Sequence, residues 1–224
     1  MEAGLQIFNT TGNVQIDSKF KNLAVIQKGQ VQLLGTDVEW TGGAKTKINV
    51  NGTNPILALQ STVRLRTRRV KEANGSYSFY FNIAQNVQAP LVKYWIFDEP
   101  TSIGNSGMQV FDGSGQLVFD SSRGYMKVVG FINKTATFTY FGTSQTYNYE
   151  SSSLAIVCCQ QASKLEDTGG GQNPETTIYS VTGSTNGKTV TVYDGPEWTI
   201  GGVLVSPYTK LQASLLILDV AGMQ

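Results

Sequence analysis

The chain has 224 residues, of which 15% are Asp, Glu, Lys or Arg, with 24 glycines and a formal net charge of +1. That length supports a true core, as one large β unit or two small ones, and the near-neutral charge leaves no global field for nucleic acid or a membrane surface, so neither nucleic acid nor membrane insertion is expected. Histidine is absent, which excludes Ser-His-Asp and Cys-His catalysis and every histidine-containing metal site.

In chain order the pattern is one of short strands and turns. Met1 to Gln6 carry an acid and no apolar run of signal-peptide length, and no segment approaches the roughly 18 apolar residues of a spanning helix. A soluble cytosolic chain made without a signal peptide is therefore expected. Residues 4–18, GLQIFNTTGNVQIDS, alternate Leu5, Ile7, Val14 and Ile16 with polar Gln6, Asn13 and Gln15, the period of two of a half-buried hairpin. Asn9 stands at the first turn position, where its side-chain oxygen can hold the backbone, and Gly12 at the last, where positive φ is needed. Asp17 closes the hairpin as a backbone cap. NLAVIQ (22–27) and VQLLG (31–35) read as strands, followed by turns at Gly42-Gly43 and Asn51-Gly52. The buried run PILALQ (55–60), STVRLRTRRV (61–70) and, after Asn74-Gly75, GSYSFYFNIA (75–84) come next.

PLVKYWIFDEP (90–100), bounded by prolines, introduces a second hairpin, GMQVFDGSGQLVFDS (107–121), with Asp112 and Gly115 at its turn and Asp120 at its close. KVVGFI (127–132), ATFTYFG (136–142) and SLAIVCC (153–159) read as strands, then a loop, EDTGGGQNPETT (166–177). TIYSVTG, KTVTVYD, GGVLVS and SLLILDVAG complete the strands. No stretch carries a 3.6-residue apolar stripe, so the expected fold is all-β, of sandwich or jelly-roll type. The adjacent Cys158 and Cys159 point to opposite faces of a strand and are expected to be free thiols.

The two hairpins are copies. Aligned at a separation of 103, residues 4–26 and 107–129 share Gly4/Gly107, Gln6/Gln109, Phe8/Phe111, Gly12/Gly115, Asp17/Asp120, Ser18/Ser121 and Val25/Val128. Ordinary composition gives about one or two such identities. The chain therefore reads as one β unit, 1–224, of two related halves, 1–101 and 102–224, each opening with the same hairpin; two small sandwich domains with a boundary near 101 are the alternative.

The doubled motif, GLQ-x-F-N with V-x-I-D-S and GMQ-V-F-D with L-x-F-D-S, resembles a family of tail-associated structural proteins of tailed bacteriophages, encoded near tail-tip and tail-fibre genes. The resemblance rests on residues 4–18 and 107–121 and brings no catalytic residues. It implies a non-enzymatic virion protein of the tail tip or tail fibre that docks onto other tail subunits, as a homo-oligomer for which a trimer is one option. A receptor-binding module for a bacterial surface glycan or outer-membrane protein is the alternative, and a capsid decoration or head-fibre protein a further one. A virion location also reconciles an outward-facing Ser/Thr/Asn-rich composition with the lack of a signal peptide or disulfide framework.

No cofactor or metal is expected. Asp17 and Asp120 recur with the turn, which assigns them to turn closure, since a catalytic acid pair needs two different environments. Arg64, Arg66 and Arg68 fall on one face of a strand and Val63, Leu65 and Thr67 on the other. That row reads as a charged edge strand protected from aggregation, as a protein interface, or as a contact for anionic glycan or nucleic acid. Strand aromatics are mostly core, with Tyr80 and Tyr94 the surface candidates. The Asn-x-Ser/Thr triplets, including Asn133-Lys134-Thr135, read as turn chemistry.

Overall fold

The computed structural model describes residues 6–8, 14–17, 21–33, 45–83, 91–100, 107–167, 175–201 and 208–223. The chain is all-β, with no helix among the described residues. The first half contains β1 (Gln6–Phe8), β2 (Val14–Asp17), β3 (Ala24–Gln32), β4 (Lys45–Val50), β5 (Ile56–Gln60), β6 (Leu65–Lys71), β7 (Tyr77–Ile83) and β8 (Leu91–Asp98). The second contains β9 (Gln109–Phe111), β10 (Leu117–Asp120), β11 (Val128–Thr135), β12 (Thr143–Asn148), β13 (Leu154–Gln160), β14 (Ser163–Asp167), β15 (Glu175–Asn186), β16 (Thr189–Gly201), β17 (Tyr208–Lys210) and β18 (Gln212–Asp219).

β1 with β2 and β9 with β10 form separate hairpins, and the other strands build two large antiparallel sheets, a β-sandwich. The smaller sheet runs β11-β18-β13-β5-β8-β3; the larger runs β12-β16-β15-β6-β7-β4, with β14 beside β15 and β17 beside β14. Both orders are palindromes of the duplication. β3 to β8 hold the places that β11, β12, β13, β15, β16 and β18 hold in the second half, so the equivalent strands β5 and β13 meet in one sheet and β6 and β15 in the other. Antiparallel contact between equivalent strands is what a two-fold axis through the seam produces. At the seam Leu59 pairs with Ile156 and Leu65 with Gly183. The backbone N–H of Thr185 donates to the Ser61 carbonyl at 2.6 Å, and that of Ser61 to Thr185 Oγ1 at 3.1 Å.

Register is duplicated with topology. Gln6 pairs with Asp17, Ile7 with Ile16 and Phe8 with Val14; Gln109 pairs with Asp120, Val110 with Phe119 and Phe111 with Leu117, both hairpins bulging at the same step. The edge strands repeat a bulge too: Val25 faces Phe97 and Gln27 faces Ile96, while Val128 faces Leu218 and Gly130 faces Ile217.

Strand alternation sorts the core into three clusters. Ile48, Leu57, Leu59, Phe79, Phe81 and Ile96 fill the interior of the first half; Ile132, Leu154, Ile156, Val190, Val192 and Ile217 fill that of the second. The third is shared: Ala58, Trp95 and Phe97 join Ala155, Val157 and Leu218 on the outer face of the smaller sheet. Leu23, Met126 and Met223 pack on that cluster, and the Trp95 indole donates to the Met223 carbonyl at 3.1 Å. The smaller sheet is thus covered on both faces at its centre.

Several expectations are corrected. β6 is an inner strand between β15 and β7, not a charged edge, because the duplication places equivalent strands at the seam. Residues 136–142 form a loop and the strand follows at β12, despite the β-branched and aromatic composition of ATFTYFG. The buried carboxylate of Asp194 accepts the backbone N–H groups of Thr137 at 2.8 Å and Phe138 at 3.2 Å, and Phe138 takes φ 49°, so tertiary capture overrides strand propensity. Asn133-Lys134-Thr135 lies inside β11 instead of a turn. The expected loop 166–177 is narrower, since Asp167 and Thr176 pair across β14 and β15; residues 168–174 lie outside the described residues.

Candidate functional site

The outer face of the larger sheet in the first half gathers most of the polar candidates. Ile48, Val50, Leu65, Phe79 and Phe81 turn inward, which obliges Lys47, Asn49, Arg66, Arg68 and Tyr80 to face outward; Ser78 shares that parity but is fully buried, its hydroxyl hydrogen-bonded to Asn49 and Glu72. Antiparallel register aligns them in rows across the strands: Arg68 pairs with Tyr80 and Tyr80 with Lys47, while Val70 pairs with Ser78 and Ser78 with Asn49. The Lys47 ammonium stands 5.4 Å from the centre of the Tyr80 ring, so the aromatic lies between two cationic positions.

One step along the sheet, Lys47 Nζ meets Glu72 Oε1 at 3.2 Å, and the Ser78 hydroxyl donates to Glu72. The hydrogen bond from Ser78, then that from the Lys47 ammonium, hold the Glu72 carboxyl below its ordinary range; Glu72 in turn pushes the Lys47 ammonium above its own. Both groups therefore stay charged. Lys47 and Glu72 line an open cleft of about 510 Å³ with Gln27, Asn49, Val50, Asn51, Asn74 and Ser76. The Asn74-Gly75 turn is built as the sequence predicts: Asn74 Oδ1 accepts the Ser76 N–H at 3.0 Å, and Gly75 takes φ 85°.

Towards the seam, the Arg64 guanidinium stacks on Tyr193 at 3.8 Å, leaving its buried Nη1 without a hydrogen bond. Neither Arg64 nor Arg68 forms an ion pair among the described residues. Arg64, Arg66 and Arg68 thus form the outward row read from alternation, and Tyr80 shares it. Tyr94 lies apart from that row: partly buried, it packs on the interior cluster of the first half with its ring over Gly29 and its hydroxyl accepting from Gln27 at 3.3 Å, and it also lines a separate open cleft with Lys28, Lys93 and Trp95. Val92 and Ile96 set the inward parity of β8, which Tyr94 shares, while Trp95 and Phe97 take the other face.

The hairpin residues serve the backbone where they are described. Asp112 Oδ1 accepts the N–H groups of Ser114 and Gln116, both at 2.9 Å, and Gly115 takes φ 81°. The hydroxyl of Ser114, then the Gln116 N–H, keep the Asp112 carboxyl below its ordinary range. Asp120 is fully buried and accepts the Ser122 N–H at 2.9 Å and the Gln109 amide at 3.1 Å. Asn9 and Gly12 lie outside the described residues, and Asp17 is described by its backbone pairing with Gln6.

The other buried aspartates are also fasteners. Asp98 accepts the N–H groups of Thr53 at 2.7 Å, Asn54 at 3.1 Å and Glu99 at 2.8 Å, and its topological counterpart Asp219 accepts from Lys127 at 2.6 Å and Ser151 at 2.7 Å. Each ties the end of β8 or β18 to the loop entering β5 or β13. No cluster of potential metal ligands occurs among the described residues.

Sequence reasoning found the arginine row and Tyr80 but missed Lys47, Asn49, Glu72 and Tyr193. The alternation of KINV (47–50) was signal enough for the outward Lys47 and Asn49; their neighbours across the sheet were not readable without register. Comparison with protein-family models, curated proteins and solved structures finds no match to this chain.

Proposed function

We propose that this chain is a non-enzymatic structural subunit of a bacteriophage virion, placed at the tail tip or tail fibre, where its sheet surfaces dock onto other tail subunits. The observation that carries this reading is the doubled hairpin: residues 4–18 and 107–121, on which the family resemblance rests, repeat in pairing and bulge as well as in residues. A framework element copied with its register serves shape. The buried aspartates fit the same role, since each is held by backbone N–H groups, hydroxyls or a lysine at a loop junction.

Purified recombinant chain mixed with purified tails, empty heads and whole host cells tests the placement. Retention on tails is the expected result. Retention only on empty heads would move the protein to the capsid, and retention on none would remove it from the virion. Light scattering of the purified chain reads its copy number, for which an assembly of subunits is expected, a trimer being one option. The receptor-binding alternative is favoured by one specific feature, the outward cationic and aromatic row on the larger sheet.

A further inference from the structure

We infer that the outer face of the larger sheet, from the Arg66–Arg68 row across Tyr80 into the Lys47–Glu72 cleft, is a binding site for an acidic polysaccharide. This goes beyond virion placement and is tested on the isolated protein, so either reading can fail without the other.

Three observations select the ligand. The first is charge complementarity. The row presents Arg68 and Lys47 on either side of Tyr80, with Arg66 the next outward position of the same strand, about 7 Å away by strand geometry. Guanidinium groups at that spacing suit acidic groups repeated along an extended chain.

The second is the cleft, whose walls are amides and hydroxyls from Gln27, Asn49, Asn51, Asn74 and Ser76 around one ionised carboxylate, Glu72. Neutral donors and acceptors with a fixed carboxylate match sugar hydroxyls, which both donate and accept. Sugar hydroxyls, carried on every unit of a polysaccharide and missing from a phosphodiester backbone, are what this neutral lining matches, and the dT20 arm of the test reads the alternative polyanion. The third is texture. The row Arg68–Tyr80–Lys47 presents one aromatic ring between cations, with Ser78 of the next row buried and hydrogen-bonded to Asn49 and Glu72, whereas a protein partner anchors in a desolvated apolar pocket.

The two halves discriminate further. Arg66 lies one step beyond the seam pair of Leu65 with Gly183. Among the described residues, a second open cleft, bounded by Lys127, Tyr149, Glu150 and Asp219, has no arginine in its lining, and a third, bounded by Lys28, Lys93, Tyr94 and Trp95, is lined by lysines and no arginine. Among the described residues, the arginine row continuous with an amide-lined cleft lies on this face of the first half.

The test is calorimetric titration of the full chain with oligoalginate, neutral dextran, polyglutamate and a dT20 oligonucleotide. Saturable binding of oligoalginate and not of dextran is expected. Arg68→Gln and Tyr80→Ala should each weaken it roughly tenfold, the worth of one charge-assisted or stacking contact. Asn49→Ala and Asn74→Ala report on the cleft, and should weaken oligoalginate while leaving any polyglutamate binding unmoved. Circular dichroism checks that each variant keeps its fold, and Arg68→Lys, which retains charge without the planar fork, covers a misfolded Arg68→Gln. Absence of oligoalginate binding overturns the inference. So does polyglutamate or dT20 binding as tightly with the same dependence on Arg68, or oligoalginate binding indifferent to Tyr80, Asn49 and Asn74.

Discussion

Single residues carry much of the loop geometry in this protein, and their protonation makes it testable. The hydrogen bond from Lys127, with those from Ser151 and the Ala221 N–H, lowers the Asp219 carboxyl from 3.8 to about 2. A carboxyl depressed on folding contributes stability that is complete above about pH 4 and is lost as pH falls towards 2. Urea unfolding across that window should show the native chain losing stability with a steeper slope than Asp219→Asn. At neutral pH the variant should be less stable by roughly 2 kcal/mol, the cost of removing a charged hydrogen-bond acceptor. The cysteines give a chemical reading of strand parity. Burial, then its neighbour Cys159, pushes the Cys158 thiol up to about 11, while Cys159 is exposed and also raised by burial. Iodoacetamide at mildly alkaline pH, followed by peptide mass spectrometry, should modify Cys159 roughly tenfold faster or more, because the thiolate is the reactive form.

Among the elements, the hairpins and the edges show what duplication kept and what it changed. Gly115 sits at φ 81° at the turn of the second hairpin, where a Cβ meets no neighbour, so Gly115→Ala isolates backbone strain. A loss of about 1 kcal/mol in chemical denaturation is expected. The equivalent edge strands have diverged: Lys28 is exposed on β3, whereas the aligned position on β11 is Phe131, 60% exposed, beside Val128 and Val129. An apolar edge lacks the charge that discourages strand addition by another chain. Phe131→Lys should reduce self-association in light scattering while shifting stability by no more than about 0.5 kcal/mol. The turns at Asn74-Gly75 and Asp112-Gly115 were legible because Asx chemistry and positive φ are local demands. ATFTYFG misled, because its conformation is imposed by Asp194, 57 positions from Thr137 along the chain.

At the scale of the whole molecule, two sheets cross the seam and a third cluster joins the halves from outside. Unfolding one half would strip the other of strand partners at β5·β13 and β6·β15. Calorimetry should therefore record a single transition, and Ile156→Ala, which opens a cavity beside Leu59, should lower it as a whole at a cost of about 2–5 kcal/mol. Two separated transitions would show that the halves melt as independent domains.

By itself the sequence determined what is local or periodic: the all-β class, the strand alternation that turns the arginine row and Tyr80 outward, the hairpin turns, and the duplication visible in residues 4–18 and 107–121. Tertiary structure alone decided which strands became neighbours. That choice made β6 an inner strand, covered both faces of β8 at Ile96 and Phe97, and assembled Lys47 of β4, Tyr80 of β7 and Glu72 of the turn between β6 and β7 into one surface. Period and propensity act over a few residues, whereas pairing is settled by contacts between residues tens to a hundred positions apart, and no local pattern encodes those.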